Sequence, residues 1–398
     1  MNQQSFAELG VSSSVANVLA RRGIDAPFPV QQVVMGDALA GRDLLVSSPT
    51  GSGKTLAFGI PILERLKPGE RGPAALVLAP TRELAGQIVR ELEDLATARK
   101  LRVTAVYGGV SIGGQSQRAA RAHMLVATPG RLEDLLDRGA FTLDDVRMLV
   151  LDEADRMLDM GFRPAIDRIV KACPQERQTL FFSATLQGVV GKIARNYTRD
   201  AVRHESVTPG ASSTPQVEHR FVQVREDGRV DALLTELGRE RERALVFVRT
   251  KRGADRLVKR LGVGGVEALA IHGNKSQRQR EQALARFQSG RIDTLVATDV
   301  AARGIDVEGV SHVINFHPPG DHESYIHRVG RTGRAGRAGV GITLVGSEER
   351  REMSQLAHRL GLGQEGEADS AGAQPKPGPT GQRRRRSANS ARRRRAAA

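Results

Sequence analysis

Short apolar runs alternate along this chain with longer stretches whose apolar residues recur at helical spacing. In the first half the runs are Asp43–Ser48, Ala74–Ala79, Met124–Ala127, Met148–Leu151 and Leu180–Ser183. In the second half they are Phe221–Val224, Ala244–Val248, Thr294–Ala297, His312–Phe316 and Ile342–Val345. Runs of Val, Leu and Ile without polar alternation belong to strands buried on both faces, as in parallel sheets wrapped by helices. The pattern predicts two α/β domains. No short-period repeat interrupts it, which excludes a solenoid.

Two breaks divide the chain. Residues 207–216 hold two prolines, a glycine and no apolar spacing, and read as a linker. From Gly361 onward the periodicity stops altogether. Pro375, Pro377, Pro379, scattered Gly and Ser, and two runs of four arginines at 383–386 and 392–395 offer nothing whose burial would offset the entropy of ordering. The expected organisation is a first domain over residues 1–206, a linker over 207–216, a second domain over 217–361 and a disordered Arg-rich tail over 362–398.

Composition narrows the class. The 398 residues, 39% of them hydrophobic, suffice for two ordinary cores. A single cysteine, Cys173, excludes an internal disulfide framework and a multi-cysteine zinc site, and fits a reducing compartment. The N-terminus lacks a signal-peptide pattern, and no apolar run approaches the ~20 residues of a membrane helix, so a cytoplasmic protein is expected. The net charge of +15 favours a polyanionic partner, because clustered Lys and Arg displace counterions from phosphate backbones. The tail carries nine basic and three acidic residues and is expected to add affinity for nucleic acid.

The first candidate chemistry follows the run Asp43–Ser48. Thr50, Gly51, Ser52, Gly53, Lys54 and Thr55 form a glycine-rich turn between a strand and the helical stretch Leu56–Leu66. Glycines let backbone N–H groups close around phosphate oxygens, and the helix start adds partial positive charge. Lys54 is expected to reach the β- and γ-phosphates and the Thr55 hydroxyl to bind Mg²⁺. The loop departs from the usual pattern in one place: Ser48 stands six positions before the lysine, where Gly is usual. The second candidate is Asp152-Glu153-Ala154-Asp155, at the end of the run Met148–Leu151. A carboxylate leaving a buried parallel strand projects into the ligand crevice of an α/β sheet. Asp152 is placed to hold Mg²⁺ through water, and Glu153 to orient and deprotonate a water attacking the γ-phosphate.

With these motifs in this order, the sequence resembles the DEAD-box ATP-dependent RNA helicases of superfamily 2, in general form the bacterial RhlE-like members, over about residues 5–350. The resemblance implies two tandem RecA-like domains with parallel sheets, and ATP and Mg²⁺ as cofactors. Phe6 matches the family's upstream aromatic, and Gly23 to Gln31 its adenine-reading segment, so that Gln31 would hydrogen-bond the adenine edge. Two positions depart: Ile24 replaces the aromatic that stacks on adenine, and Phe28 replaces Thr, which lowers the expected nucleotide affinity.

The same resemblance assigns RNA contacts to Pro80, Thr81, Arg82, Gly109, Thr128, Pro129, Gly130 and Arg131 in the first half. In the second half it assigns them to Gly273, Gln277, Arg280, Thr298 and Asp299. Hydroxyls, guanidinium groups and glycine N–H groups of this kind meet phosphates and sugars, which carry no base identity. Ser183-Ala184-Thr185 matches the motif coupling hydrolysis to strand separation, with Ser183 and Thr185 hydroxyls expected on Asp155. Asp306 would touch the ATP ribose, His327 would take part in coupling, and Arg331 and Arg334 resemble the family's arginine fingers.

Lys54, Thr55, Asp152 and Glu153 lie in one predicted domain and the fingers in the other. Neither half holds a complete site, so hydrolysis is expected to wait for closure on ATP and RNA together, with local, non-processive separation of the RNA duplex. An ATP-gated RNA clamp or annealing chaperone is the alternative. A DNA-directed ATPase of the same superfamily is the other, distinguished by 2′-OH contacts.

Overall fold

The structure is a computed structural model that describes residues 4–48, 51–70, 72–205, 217–225, 227–302, 309–333 and 337–360. The expected linker and tail lie outside the described residues.

The first domain is built on seven strands: β1 (Leu44–Ser47), β2 (Ala75–Leu78), β3 (Val103–Val106), β4 (Met124–Ala127), β5 (Met148–Leu151), β6 (Gln178–Ser183) and β7 (Val202–Glu205). They pair in the order β3-β4-β2-β5-β6-β1-β7, every pair parallel. The second domain has six: β8 (Val217–Gln223), β9 (Arg243–Val248), β10 (Ala268–Ile271), β11 (Thr294–Thr298), β12 (Val310–Asn315) and β13 (Gly339–Val345). Their order is β10-β11-β9-β12-β13-β8, again all parallel.

Each expected run is a strand or lies within one, give or take a residue or two at its ends. Three strands the runs did not mark, β3, β7 and β10, all lie at a sheet rim. There one face meets solvent, so the residues alternate or stay half-buried and give no unbroken apolar run.

Helices cover both faces of each sheet. On the first, the helix Lys54–Arg65 packs against Arg82–Ala98, whose Leu84, Ile88, Leu92 and Leu95 keep helical spacing and point inward. The two approach so closely that a Cβ on Gly59 would sit 2.3 Å from Leu92 Cδ2, which reserves that position for glycine. The opposite face holds a second cluster around Leu125, Leu149, Phe181 and Met157. The second sheet is likewise packed on both sides, around Phe247, Phe287 and Tyr325 on one and Leu233, Val246 and Leu257 on the other. Because all strands in a sheet run parallel, the loops after their C-terminal ends gather along one edge, the place where open α/β sheets bind ligands.

Candidate functional site

The loop after β1 adopts the conformation expected of a phosphate cradle. Gly51 and Gly53 have φ of 81° and 86°, in the left-handed region open to glycine. Gly53 is the residue before the helix Lys54–Arg65. Lys54 is buried and donates from Nζ to the Ser48 carbonyl, 3.2 Å away. Ser48, the departure from the usual glycine, shares a hydrogen bond of 2.5 Å with the Ser52 hydroxyl across the loop. An ammonium group held on a carbonyl at a glycine-rich helix start suits a polyphosphate. Thr55 follows on the first turn of the helix; Thr50 lies outside the described residues.

The adenine-reading segment rests directly on this loop. Gln31 is fully buried; its Nε2 donates to the Gly53 carbonyl at 3.0 Å, and its Oε1 accepts from the Phe28 N–H at 2.9 Å. The amide therefore ties the segment to the loop, with one N–H and one lone pair left over. Ile24 packs against the core of the first domain.

Asp152 and Glu153 follow β5 as expected. The Asp152 N–H bonds back to Leu78 O at 3.0 Å, and its Oδ1 accepts from the Glu153 N–H at 3.0 Å. Glu153 sits at φ 51°, a left-handed turn that starts the helix Ala154–Asp159. Both carboxylates are buried, with opposite results. Burial pushes Asp152 up, Lys54 only partly offsets it, and the charges of Glu153 and Asp155 add to the rise. For Glu153, burial is outweighed by Arg156, Lys54 and Arg331, which together hold its carboxyl well below the usual range. The Arg156 guanidinium bonds Glu153 directly.

Asp152 is thus a buried carboxylate short of positive charge. Among the described residues no group of three or more His, Cys, Asp or Glu could hold a metal ion by itself. The Asp152 carboxylate and the Thr55 hydroxyl are oxygen donors of the kind Mg²⁺ takes. The Ser183 and Thr185 hydroxyls, in contrast, do not bond Asp155. The Ala184 N–H takes Asp155 Oδ2 at 3.0 Å, because the chain turns after β6 with its backbone facing that carboxylate. Ser183 Oγ is buried without a hydrogen bond, and Thr185 Oγ1 accepts from the Gln187 N–H.

The first-domain RNA candidates converge at the ends of β2, β3 and β4. Pro80 and Thr81 follow β2, and Thr81 Oγ1 caps the next helix by accepting from the Leu84 N–H at 3.3 Å. The Arg82 guanidinium lies against Gly108 and Gly109; a Cβ on Gly109 would fall 2.0 Å from Arg82 Nη1. Thr128, Pro129 and Gly130 open the helix Pro129–Asp137, and Arg131 donates to Val110 O and to Gln115 Oε1. Gln115, buried and bonded to Tyr107 O, braces this cluster. The motif reading passed over it, since a single glutamine on a helix carries no signal.

In the second domain the expected contacts divide. Gly273 lies beside the Lys251 side chain. A capping box of Ser276 and Gln279 starts the helix Gln277–Gln288, which puts Gln277 and Arg280 one turn apart. Arg280 does not face outward: its Nη2 lies 2.8 Å from Glu83 Oε2 of the first domain, both side chains buried. Thr298 ends β11. Asp299, expected on RNA, accepts from the fork of Arg328, with Nε to Oδ1 at 2.6 Å and Nη2 to Oδ2 at 2.7 Å. The same guanidinium reaches Asn315 Oδ1 and His317 O and lies 5.1 Å from the Phe247 ring centroid. Opposite charge accounts for both pairings, the first between buried side chains and the second with Asp299 about a third exposed.

Arg331 is buried, donates from Nε to the His327 carbonyl at 3.3 Å, and sits near enough to Glu153 to lower its carboxyl. With His327 and Arg328 it lines a small cleft closed on the other side by Arg156. Arg334 and Asp306 lie outside the described residues.

Residues 28–193 match the DEAD/DEAH box helicase family, and residues 228–336 the helicase conserved C-terminal domain. The DEAD-box ATP-dependent RNA helicase CshA of Geobacillus kaustophilus is 42% identical over 356 residues, 89% of this chain and 75% of that protein. The chain belongs to the DEAD-box ATP-dependent RNA helicase family. The CshA of Streptococcus pneumoniae, also 42% identical, is covered over 66% of its length. Among solved structures, S. cerevisiae Dbp5 bound to RNA and ADP BeF3 superposes with a TM-score of 0.81 at 30% identity, over 90% of this chain and 94% of that one. A Dbp5 variant bound to Gle1 and IP6 gives 0.73 at the same identity, over 90% and 92%. As a member, this chain is an ATP-dependent RNA helicase that hydrolyses ATP. No described helix is long and apolar enough to cross a membrane.

Proposed function

We propose that ATP is hydrolysed in the cleft between the two domains, that RNA and nucleotide favour the same closed arrangement, and that this coupling separates RNA duplexes locally and non-processively. The observation that carries the reading is the cleft that Arg331, with His327 and Arg328 of the second domain, shares with Arg156 of the first, which is itself bonded to Glu153. The higher similarity to Dbp5 with RNA and nucleotide than to the Gle1-bound form supports a closed arrangement.

In this reading Lys54 and the N–H groups of residues 50–53 hold the phosphates, and Gln31 fixes the adenine segment on that loop. Asp152 and the Thr55 hydroxyl would hold Mg²⁺, which supplies charge neutralisation on the phosphate oxygens when bound. Glu153, kept ionised by Arg156, orients the attacking water and receives its proton. Arg331, with Arg334, faces the charge that develops on the transferring group, a contribution of roughly 10³–10⁵ in rate. Asp306 takes the ribose. Asp155, Ser183, Thr185 and His327 connect this site to the RNA surface.

That surface comprises residues 80–82, 109, 128–131, 273, 277 and 298. It is made of backbone and small polar groups and would read no base sequence. The Arg-rich tail raises the local RNA concentration, and the setting is the cytoplasm. The buried Arg280–Glu83 pair favours a long-lived closed state, and so gives weight to a clamp or annealing chaperone as the second reading.

ATP hydrolysis is measured with no polymer, with single-stranded RNA and with matched DNA, for wild type and Glu153→Gln. Stimulation by RNA alone, lost in the variant while RNA binding persists, is the expected result. Equal stimulation by DNA, or none by either, overturns it. Strand separation compared with annealing, with and without ATP, decides between helicase and clamp.

A further inference from the structure

Among the described residues, Phe28 is the only aromatic side chain more than half exposed, at 54%. An aromatic ring left in water forgoes the stabilisation of burial, so its position calls for a reason. The backbone under it is stiff. Prolines flank it on both sides, its N–H is bonded to Gln31 Oε1, and its carbonyl accepts from the N–H groups of Gln31 and Gln32. The ring lies against the phosphate loop itself: a Cβ on Gly53 would be 3.0 Å from Phe28 Cδ2 and 2.7 Å from Gln31 Nε2.

The neighbouring groups leave the task to this residue. Ile24, at the position where the family resemblance puts a stacking aromatic, packs into the core and bonds its N–H to Leu19 O. Gln31 is wholly buried, with both ends of its amide engaged. What remains beside Gly53 is one aromatic ring, half exposed on a stiff backbone mount. We propose that Phe28 supplies the aromatic surface on which the nucleotide base stacks, so that the stacking position has moved from 24 to 28 in this chain. The inference rests on the loop of residues 50–55 being the phosphate site.

The test is calorimetric binding to the full chain of two Mg²⁺-loaded probes, ADP and inorganic tripolyphosphate, which shares the phosphates but has no base. Phe28→Ala and Phe28→Leu should weaken ADP about tenfold, the order expected for a base–aromatic stack, and leave tripolyphosphate within about twofold. Phe28→Tyr and Ile24→Val should bind ADP as wild type does. Because the ring is mostly exposed, these variants keep the core intact, and Phe28→Leu separates loss of the ring from loss of bulk. Unchanged ADP binding in Phe28→Ala overturns the inference. So does an equal loss for both probes, which would make the ring a mere prop for the loop. Failure of the wild type to bind either probe would remove the phosphate site itself, and Phe28's role with it.

Discussion

Arg280 of the second domain meets Glu83 of the first at 2.8 Å, both side chains withdrawn from solvent. Neither carboxylate oxygen of Glu83 nor Arg280 Nε makes an aligned hydrogen bond among the described residues, so the pair is a contact of charge alone. Burying two charges costs several kcal/mol each, and their mutual attraction is what offsets it. When the domains part, each charge returns to water. The pair therefore opposes half-closed arrangements, in which either charge would be dry and alone.

Removing one partner should be costly in a specific way. Arg280→Ala leaves Glu83 uncompensated in the closed form, a loss of about 3–5 kcal/mol if the domains stay together. They will open instead, so the RNA concentration for half-maximal ATP hydrolysis should rise tenfold or more. Glu83→Ala should behave alike, and the double variant should be no worse than either single one. Additive losses in this cycle would mean the two residues act separately.

Gly53 has no room for a side chain. A Cβ there would strike Gln31 Nε2 at 2.7 Å, and φ of 86° costs an L-residue roughly 1–2 kcal/mol. Gly53→Ala should abolish ADP binding by calorimetry while the circular dichroism spectrum and melting temperature stay near wild type, since the loop moves and the core does not.

Arg328 joins Asp299, Asn315 and the His317 carbonyl through one planar fork. Lysine keeps the charge but cannot make that set of bonds. Arg328→Lys should destabilise the second domain by about 3 kcal/mol, read from urea unfolding of that domain. A shift under 1 kcal/mol would show that the network adds little.

Three histidines of the second domain, His219, His312 and His317, are pushed down first of all by burial, His317 to about 4. His317 Nδ1 accepts a hydrogen bond from the Arg249 N–H, so the folded form prefers the neutral ring. The unfolded chain takes up protons near pH 6.5 and the folded domain only below that. Stability should thus be complete above pH 6.5 and fall as the pH drops from 6.5 to about 4. Melting temperatures across that range check it, and His317→Gln should flatten the slope.

Much of this was legible in the residues. Buried central strands announce themselves as unbroken apolar runs, and a glycine-rich turn between strand and helix places Lys54 without further help. The motifs also located Arg82 and Gly109, which the fold brings into contact from the ends of β2 and β3. What escaped was pairwise. That Asp299 serves Arg328, and Arg280 serves Glu83, depends on helices meeting across the fold, which no local spacing encodes. Nor does a pattern of residue types say that Gln31 spends its amide on Gly53, or that Ser183 leaves Asp155 to a backbone N–H.

The strands β7 and β8, each at the rim of its sheet, have a further consequence. β7 carries Arg203 paired with Glu205 at 2.6 Å, and β8 carries Glu218 paired with Arg220 at 2.5 Å. An open parallel rim is a template on which another chain can add its own strand, and charged side chains are what discourages it. Charged pairs on both strands thus work against one copy of the chain joining another sheet to sheet.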